Sequence, residues 1–301
     1  MKKEKNTVSE PRGRGMASMT RKRALSNAAA YVFLILISII WLFPFFGLLM
    51  QSFRSYSAEY GGMVDYIIPK TFSLGNYRFL FSGKTNFLLW YKNTVIIAAA
   101  VSVLQTAVVL STSYALSRMR FKGRTLLMRS WFVLGMFPGF LTMICMYFLL
   151  KQFGLTQAGA VPGLILVYVA SSGMGYYVCK GYFDTIPRAL DDAARIDGAS
   201  RAQIFVHLIL PLSGPIIIYT ALVAFMAPWC DYIFASYVAF GNDRTYNVAV
   251  GMTRWVWTND YQGYFTRFCA GGILVAVPVT MLFMCLQRYY VEGVTGGSVK
   301  G

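Results

Sequence analysis

The sequence predicts an all-α integral membrane protein with six transmembrane helices. Three observations carry this reading. Of 301 residues, 56% are hydrophobic and 13% charged, with a mean hydropathy of +0.51. A soluble domain averages about 45–50% apolar and about 25% charged. So little charge cannot coat a water-facing surface, which excludes a soluble enzyme and, beyond the N-terminus, a disordered chain. Second, the chain holds six apolar stretches near the ~20 residues that cross a hydrocarbon core. Third, the segments between them share the basic residues unequally. Nineteen of the 28 fall on the same side as the N-terminus, so the net charge of +16 reads as a topological signal rather than a nucleic-acid footprint.

The elements follow in order. Residues 1–27 form a polar, basic tail with Lys2, Lys3, Lys5, Arg12, Arg14, Arg21, Lys22 and Arg23. Ala28–Met50 then runs without a charge. It is too long for the ~7–15-residue apolar region of a signal peptide and lacks a small-residue cleavage site, so it reads as a retained first helix. Pro44 is expected to kink it. Residues 51–93 form an external loop. A five-helix core covers 94–288, with spans at Thr94–Leu116, Leu126–Leu150 (Pro138 inside), Val161–Cys179, Leu212–Phe240 (broken around Pro228 to Asp231) and Cys269–Leu286. Residues 289–301 form the C-terminal tail. The positive-inside bias places both termini in the cytoplasm. Arg118, Arg120, Lys122, Arg124 and Arg129 form the strongest single anchor, with no acid among them.

Cys145, Cys179, Cys230, Cys269 and Cys285 show no C-x-x-C spacing and read as buried free thiols. One histidine, His207, cannot build a metal site, and no cofactor is called for. Gly173 and Gly175 read as helix-packing positions. The external segments are aromatic, with Tyr56, Tyr60, Tyr66, Phe72, Tyr77, Phe79 and Phe81 in the first and Trp255, Trp257, Tyr261, Tyr264 and Phe265 in the last. They read either as an interfacial belt or as a docking surface for an external protein.

The loop at 180–211 is unlike the others. Asp184 or Thr185 can cap a helix whose first turn tolerates Pro187. At 100° per residue Leu190, Ala193, Ala194 and Asp197 share one narrow, flat face. Gly198 supplies a turn, and a second helix starts near Ser200. Such a helix–glycine–helix knob fits a partner's groove; it is equally the form of an ordinary interfacial hairpin. Chemistry alone leaves both standing.

The loop resembles the signature of ATP-binding-cassette importer permeases: Glu-Ala-Ala, three residues, Gly, nine residues, Ile-x-Leu-Pro. Here Asp192-Ala193-Ala194, Gly198 and Leu208-x-Leu210-Pro211 hold both spacings, with Asp192 for Glu and Leu208 for Ile. The string from Ala194 to Ser200 looks like the sugar-importer branch. The C-terminus, Thr295-x-Gly297-x-Val299-Lys300-Gly301, is similar to the tail of the shorter permease subunit of maltose-type importers, as is Lys180 to Ile186. The resemblance runs from about Asn93 to Gly301. It implies the type I importer permease (MetI-like) fold. It also implies import of a sugar, of oligosaccharide class, with ATPase coupling through Asp191, Asp192, Ala193, Ala194, Asp197, Gly198 and Ala199. It further implies a tail (Thr295, Gly296, Gly297, Val299, Lys300, Gly301) that contacts the ATPases. The implied partners are a second permease subunit, two cytoplasmic ATP-binding subunits and an extracytoplasmic sugar-binding protein. The external segment 241–267 is implied to reach toward that binding protein.

No Gly-x-x-x-x-Gly-Lys-Ser/Thr loop is present, so ATP hydrolysis falls to partner subunits. No nucleophile elbow or His-Glu-x-x-His occurs, so the chain reads as a transporter subunit and not an enzyme. Asp231 is the one acid within a span, and such groups usually face a cavity or a partner. Trp229 and Asp231 are therefore candidates for the substrate path, by stacking on a sugar ring and accepting its hydroxyls. The competing reading places them in the interfacial belt. The same machine for a non-sugar solute, and a membrane-embedded lipid-modifying enzyme, are the alternative functions.

Overall fold

The computed structural model of the chain describes residues 14–55, 67–257 and 261–295. α1 (Arg14–Ser52) is a continuous helix of 39 residues that carries Pro44 inside it and starts well before Ala28. α2 (Gly75–Phe81) lies in the segment predicted to be external, and α3 (Phe87–Arg118) begins seven residues before the predicted Thr94. α4 (Arg124–Leu134) and α5 (Gly139–Gln152) replace the single helix predicted over Leu126–Leu150 and are bent by 105°. The break falls between Gly135 and Pro138, whose ring and missing N–H prevent continuation; Pro138 is extended at ψ 124°.

α6 (Ala160–Ala170) and α7 (Gly173–Thr185) form a second bent pair, at 42°. α8 (Arg188–Ile196) follows, then α9 (Arg201–Ile204), a π-helical stretch at Phe205–Ile209, and α10 (Leu210–Leu212). The π stretch stands where Pro211 deprives the helix of an amide donor. α11 (Gly214–Cys230) completes a third bent pair with Arg201–Leu212, at 84°. α12 (Ile233–Val238) is separate from it, so the fifth span ends at Cys230 rather than Phe240. α13 (Val248–Trp257) lies in the last external segment, and α14 (Tyr261–Thr295) carries the sixth span on both sides of Cys269–Leu286.

Among the described residues there are three unbroken helices long and apolar enough to cross a membrane, and six spans if each bent pair counts as one. The chain is a multi-pass membrane protein. The apolar window of α1 is fully exposed, as a lipid-facing helix requires, because hydrocarbon is as apolar as leucine.

α3 is the central helix. It packs against α11, α7, α6 and α13, while α14 packs against α11, α1 and α13. Its 32 residues span about 48 Å. Its N-terminal half, through Trp90, Ile97 and Val101, belongs to one buried cluster with Leu164, Ala235 and Val248. Its C-terminal half, through Val109, Tyr114 and Leu116, belongs to a second with Phe183, Ile204 and Ile209. One stiff rod therefore joins the two ends of the molecule. Gly175 packs against α3, with Val109 methyls 3.8 Å from the place of a Cβ; Gly173 opens α7 with no such neighbour. The five cysteines are free; Cys179 and Cys269 are buried, whereas Cys145, Cys230 and Cys285 lie exposed on helix surfaces, contrary to the expectation that all were buried.

Candidate functional site

Pro187 disfavours helix at the residue before it. Ile186 is accordingly extended, at ψ 125°, and α8 starts at Arg188 with Pro187 in the capping position. Neither Asp184 nor Thr185 caps α8, as the sequence had suggested. Both belong to α7, where Thr185 Oγ1 donates to the Tyr182 carbonyl at 2.7 Å.

The far end of α8 closes as the glycine predicts. Gly198 has φ +83°. Its N–H donates to the Arg195 carbonyl at 3.0 Å, and the Ala199 N–H donates to the Ala194 carbonyl at 2.9 Å. These two bonds are a Schellman motif, which satisfies carbonyls the helix end would leave open. Ser200 then starts α9 with a capping box: Gln203 N–H donates to Ser200 Oγ at 3.3 Å, and Ser200 N–H donates to Gln203 Oε1 at 2.8 Å. The elbow between the two helices is thus hydrogen-bonded from both sides.

The elbow is fastened to the end of α3. Arg118 and Asp191 side chains are 3% and 5% exposed, and Arg118 Nε lies 3.0 Å from Asp191 Oδ2. Arg118 Nη2 also donates to the Ile186 carbonyl at 2.9 Å. Arg188 Nη2 donates to the Ser117 carbonyl at 3.3 Å, Ser117 Oγ to Asp184 Oδ1 at 2.6 Å, and Tyr114 OH to the Arg201 carbonyl at 3.1 Å. Lys180 pairs with the other oxygen of Asp184. Three consecutive elements, α7, α8 and α9, are therefore tied to one end of one rod.

This sorts the predicted coupling residues. Asp191 is buried and turned toward Arg118. Ala194 and Ala199 are half-buried against the second core cluster. Asp192, Ala193, Asp197 and Gly198 are exposed. Asp192 meets Arg195 in a surface pair at 3.3 Å, the kind that contributes little to stability. The residue the sequence reading missed is Ile196, which is 87% exposed. Its signal was an isoleucine in an otherwise charged and small-residued string. Of the predicted tail, Thr295 ends α14; Gly296, Gly297, Val299, Lys300 and Gly301 lie outside the described residues.

The candidate path residues are enclosed by neighbouring side chains. Trp229 is 4% exposed, enclosed by Tyr91 (edge-on, 5.4 Å) and Phe225 (5.9 Å), so its face is not open to a sugar. Asp231 accepts from Tyr168 OH with one oxygen and from the Phe234 N–H, at 3.1 Å, with the other. Asn247 Nδ2 donates to the Pro228 and Asp231 carbonyls at 3.1 and 2.7 Å. The break after α11 is held by bonds from Tyr168, Phe234 and Asn247, while the buried Trp229 Nε1 finds no partner among the described residues. The external aromatics likewise pack on one another: Trp255 stacks on Phe87 and on Tyr264, and Arg267 lies 3.5 Å over Phe79. Trp257, Phe72 and Phe81, at 77%, 63% and 55% exposed, face outward, while Tyr56, Tyr60 and Tyr66 lie outside the described residues.

A multi-pass helical bundle with an exposed, hydrogen-bonded elbow between two spans defines the class as a polytopic helical membrane protein. The sequence profile of the family described as "Binding-protein-dependent transport system inner membrane component" matches residues 107–296. The chain belongs to that family. It is 34% identical over 280 residues to the maltodextrin transport system permease protein MdxG of Bacillus subtilis, covering 93% of this chain and 98% of that protein. It is 33% identical over 290 residues to the galactooligosaccharides transport system permease protein GanQ of the same organism, covering 95% and 100%. A chain in the crystal structure of a bacterial ABC transporter involved in import of the acidic polysaccharide alginate shares the fold. The TM-score is 0.75 at 20% identity, over 90% of this chain and 98% of that one.

Proposed function

We propose that this chain is a permease subunit of an ATP-driven importer that carries an oligosaccharide across the cytoplasmic membrane. It would pair with a second permease subunit, two cytoplasmic ATP-binding subunits and an extracytoplasmic sugar-binding protein. The observation that carries the reading is the elbow at 188–200. Ala193, Ile196 and Asp197 stand exposed at a short helix whose far end is closed by backbone bonds and whose inner side is anchored to α3. The sugar class is supported by the relatives, which are named for maltodextrin and galactooligosaccharides.

The chain itself supplies no phosphate loop. When the ATP-binding subunits close on ATP, a helix seated in them is displaced with them. The Arg118–Asp191 pair and the Tyr114 and Arg188 bonds pass that displacement to α3, and α3 passes it to the opposite face through the core it shares with α13. The tail at 295–301 contributes a further contact with the ATPases. Both termini lie in the cytoplasm, and the domain divisions of the sequence reading follow from that topology.

The test uses the assembled transporter. Ala193→Arg drives a bulky charge into a close-packed contact, where an unpaired ion is costly. Ile196→Asp removes the apolar contact. Both proteins should insert and accumulate normally, lose ATPase association or solute-stimulated hydrolysis, and abolish maltodextrin or galactooligosaccharide uptake. Full uptake with full ATPase association in both variants would place the docking face elsewhere.

A further inference from the structure

Between α4 and α7, on the side of the elbow, lies a cavity of about 680 Å³ that the coupling machinery does not use. One wall is α4, carrying Arg124, Arg129, Phe132 and Val133; the other is Tyr177 and Lys180 of α7. The walls are fixed to each other. Tyr177 OH donates to the Met128 carbonyl, and Trp131 stacks on Tyr176 with ring centroids 4.9 Å apart. Cations gather toward the end where α4 begins. Phe132 and Val133, 56% and 54% exposed, continue the wall further along the helix.

The charge is uncompensated. Lys180 shares Asp184, but neither Arg124 nor Arg129 has an acidic partner among the described residues. The sequence from 117 to 129 contains five basic residues and no acid. A topological anchor needs only charge in the loop. It does not need arginines on a groove with an aromatic floor.

We propose that this groove is a binding site for one anionic phospholipid. Its phosphate would be held by Arg124, Arg129 and Lys180, and the upper part of an acyl chain would lie along Phe132, Val133 and Tyr177. Guanidinium forks match phosphate oxygens in pairs, and long basic side chains reach the headgroup level from within a helix. Basic pockets between spans recognise anionic headgroups by the same chemistry. A free phosphate would satisfy the cations and leave the apolar wall without a role, which favours the lipid. The lipid would sit beside α7, the helix that leads directly into α8, so its occupancy would brace the elbow from the membrane side.

The test is native mass spectrometry of the assembled transporter, delipidated and titrated with phosphatidylglycerol or phosphatidylcholine. The parent complex should retain one phosphatidylglycerol and no phosphatidylcholine. Arg124→Gln/Arg129→Gln should weaken that retention roughly thirtyfold, from the attraction each basic residue supplies near an anionic surface. Arg120→Gln/Lys122→Gln, with the same charge loss outside the groove, should retain the lipid, while Arg124→Lys/Arg129→Lys, which keeps the charge and loses the forks, should fall between the parent and the groove glutamine pair. Equal loss in both glutamine pairs would overturn the proposal. So would displacement of the lipid by millimolar inorganic phosphate. Release of the second permease subunit instead of the lipid would also overturn it and make the groove a subunit contact.

Discussion

Replacing Arg118 by methionine tests whether the elbow is truly held by its buried ion pair. The two side chains are 3% and 5% exposed, and Arg118 Nε sits 3.0 Å from Asp191 Oδ2. Asp191 Oδ1 accepts no hydrogen bond among the described residues, so the pair is incompletely solvated by the protein. Removing one partner of a buried pair costs about 3–5 kcal/mol, because the other charge stays in a place water does not reach. Arg118 Nε and Asp191 Oδ1 make no well-aligned hydrogen bond, so the pair is imperfectly matched and the lower end applies, about 3 kcal/mol for Arg118→Met. Asp191→Leu should cost about the same. Replacing both together leaves no charge behind and fills the space with apolar atoms, which is often close to neutral. One hydrogen bond, to the Ile186 carbonyl, is still lost, so the double variant should cost about 1 kcal/mol. Additivity would give about 6 kcal/mol, so the cycle carries a large coupling. Tryptophan fluorescence of the purified transporter during titration with dodecyl sulfate gives the three free energies. Sugar uptake in vesicles gives the functional counterpart, with both single variants low and the double variant partly restored. Single variants within about 0.5 kcal/mol of the parent, or a double variant equal to their sum, would refute the latch.

Three further outcomes follow from the same geometry. Gly198→Val should destabilise the elbow by about 1–3 kcal/mol through its φ of +83° alone, since a Cβ there meets no atom within 4 Å; Gly198→Asn should be milder, and thermal inactivation of solute-stimulated hydrolysis separates the two. Gly251→Ala should be disruptive without any backbone strain, because its Cβ would lie 2.1 Å from the Trp90 ring; a cost of about 1–3 kcal/mol is expected, and near-UV circular dichroism of the tryptophan cluster reads the shift, while an unchanged spectrum and stability would contradict the packing. In a chain whose native cysteines are replaced, Ile196→Cys should escape an impermeant thiol reagent in intact cells and Trp257→Cys should react, and the reverse pattern would invert the proposed topology.

The six-span architecture was legible because bilayer thickness imposes a length that hydropathy records directly. Breaks were less legible than spans. Pro138 lies within an apolar run, and the sequence signals that a proline interferes without saying whether the helix bends gently or turns by 105°. Pro44 and Pro278 lie inside continuous helices, so the same residue type has opposite outcomes. The difference is set by what satisfies the freed carbonyl, which is a tertiary matter. Gly135 shortly before Pro138 was the local hint.

At the candidate site, the backbone was legible and the side-chain assignment was not. Gly198 as the turn and Ser200 as the next cap follow from local chemistry, in which a left-handed φ and a hydroxyl three residues before glutamine have few other solutions. Asp191 and Asp192 are chemically identical neighbours, and only the position of α3 decides that one is buried against Arg118 while the other meets solvent. Arg118 itself was counted among the topological charges, since nothing local distinguishes it from Arg120. Trp229 shows the converse. An aromatic beside an acid within a span has the composition of a sugar site, but Tyr91 and Phe225 had already claimed its ring and Tyr168 its neighbour's carboxylate. What the sequence left open here turns on pairings between residues far apart: Asp191 with Arg118, Trp229 with Tyr91 and Asp231 with Tyr168. On the proposed coupling role, such pairings are what make the elbow a lever, because a docking helix free of α3 would move without moving the bundle.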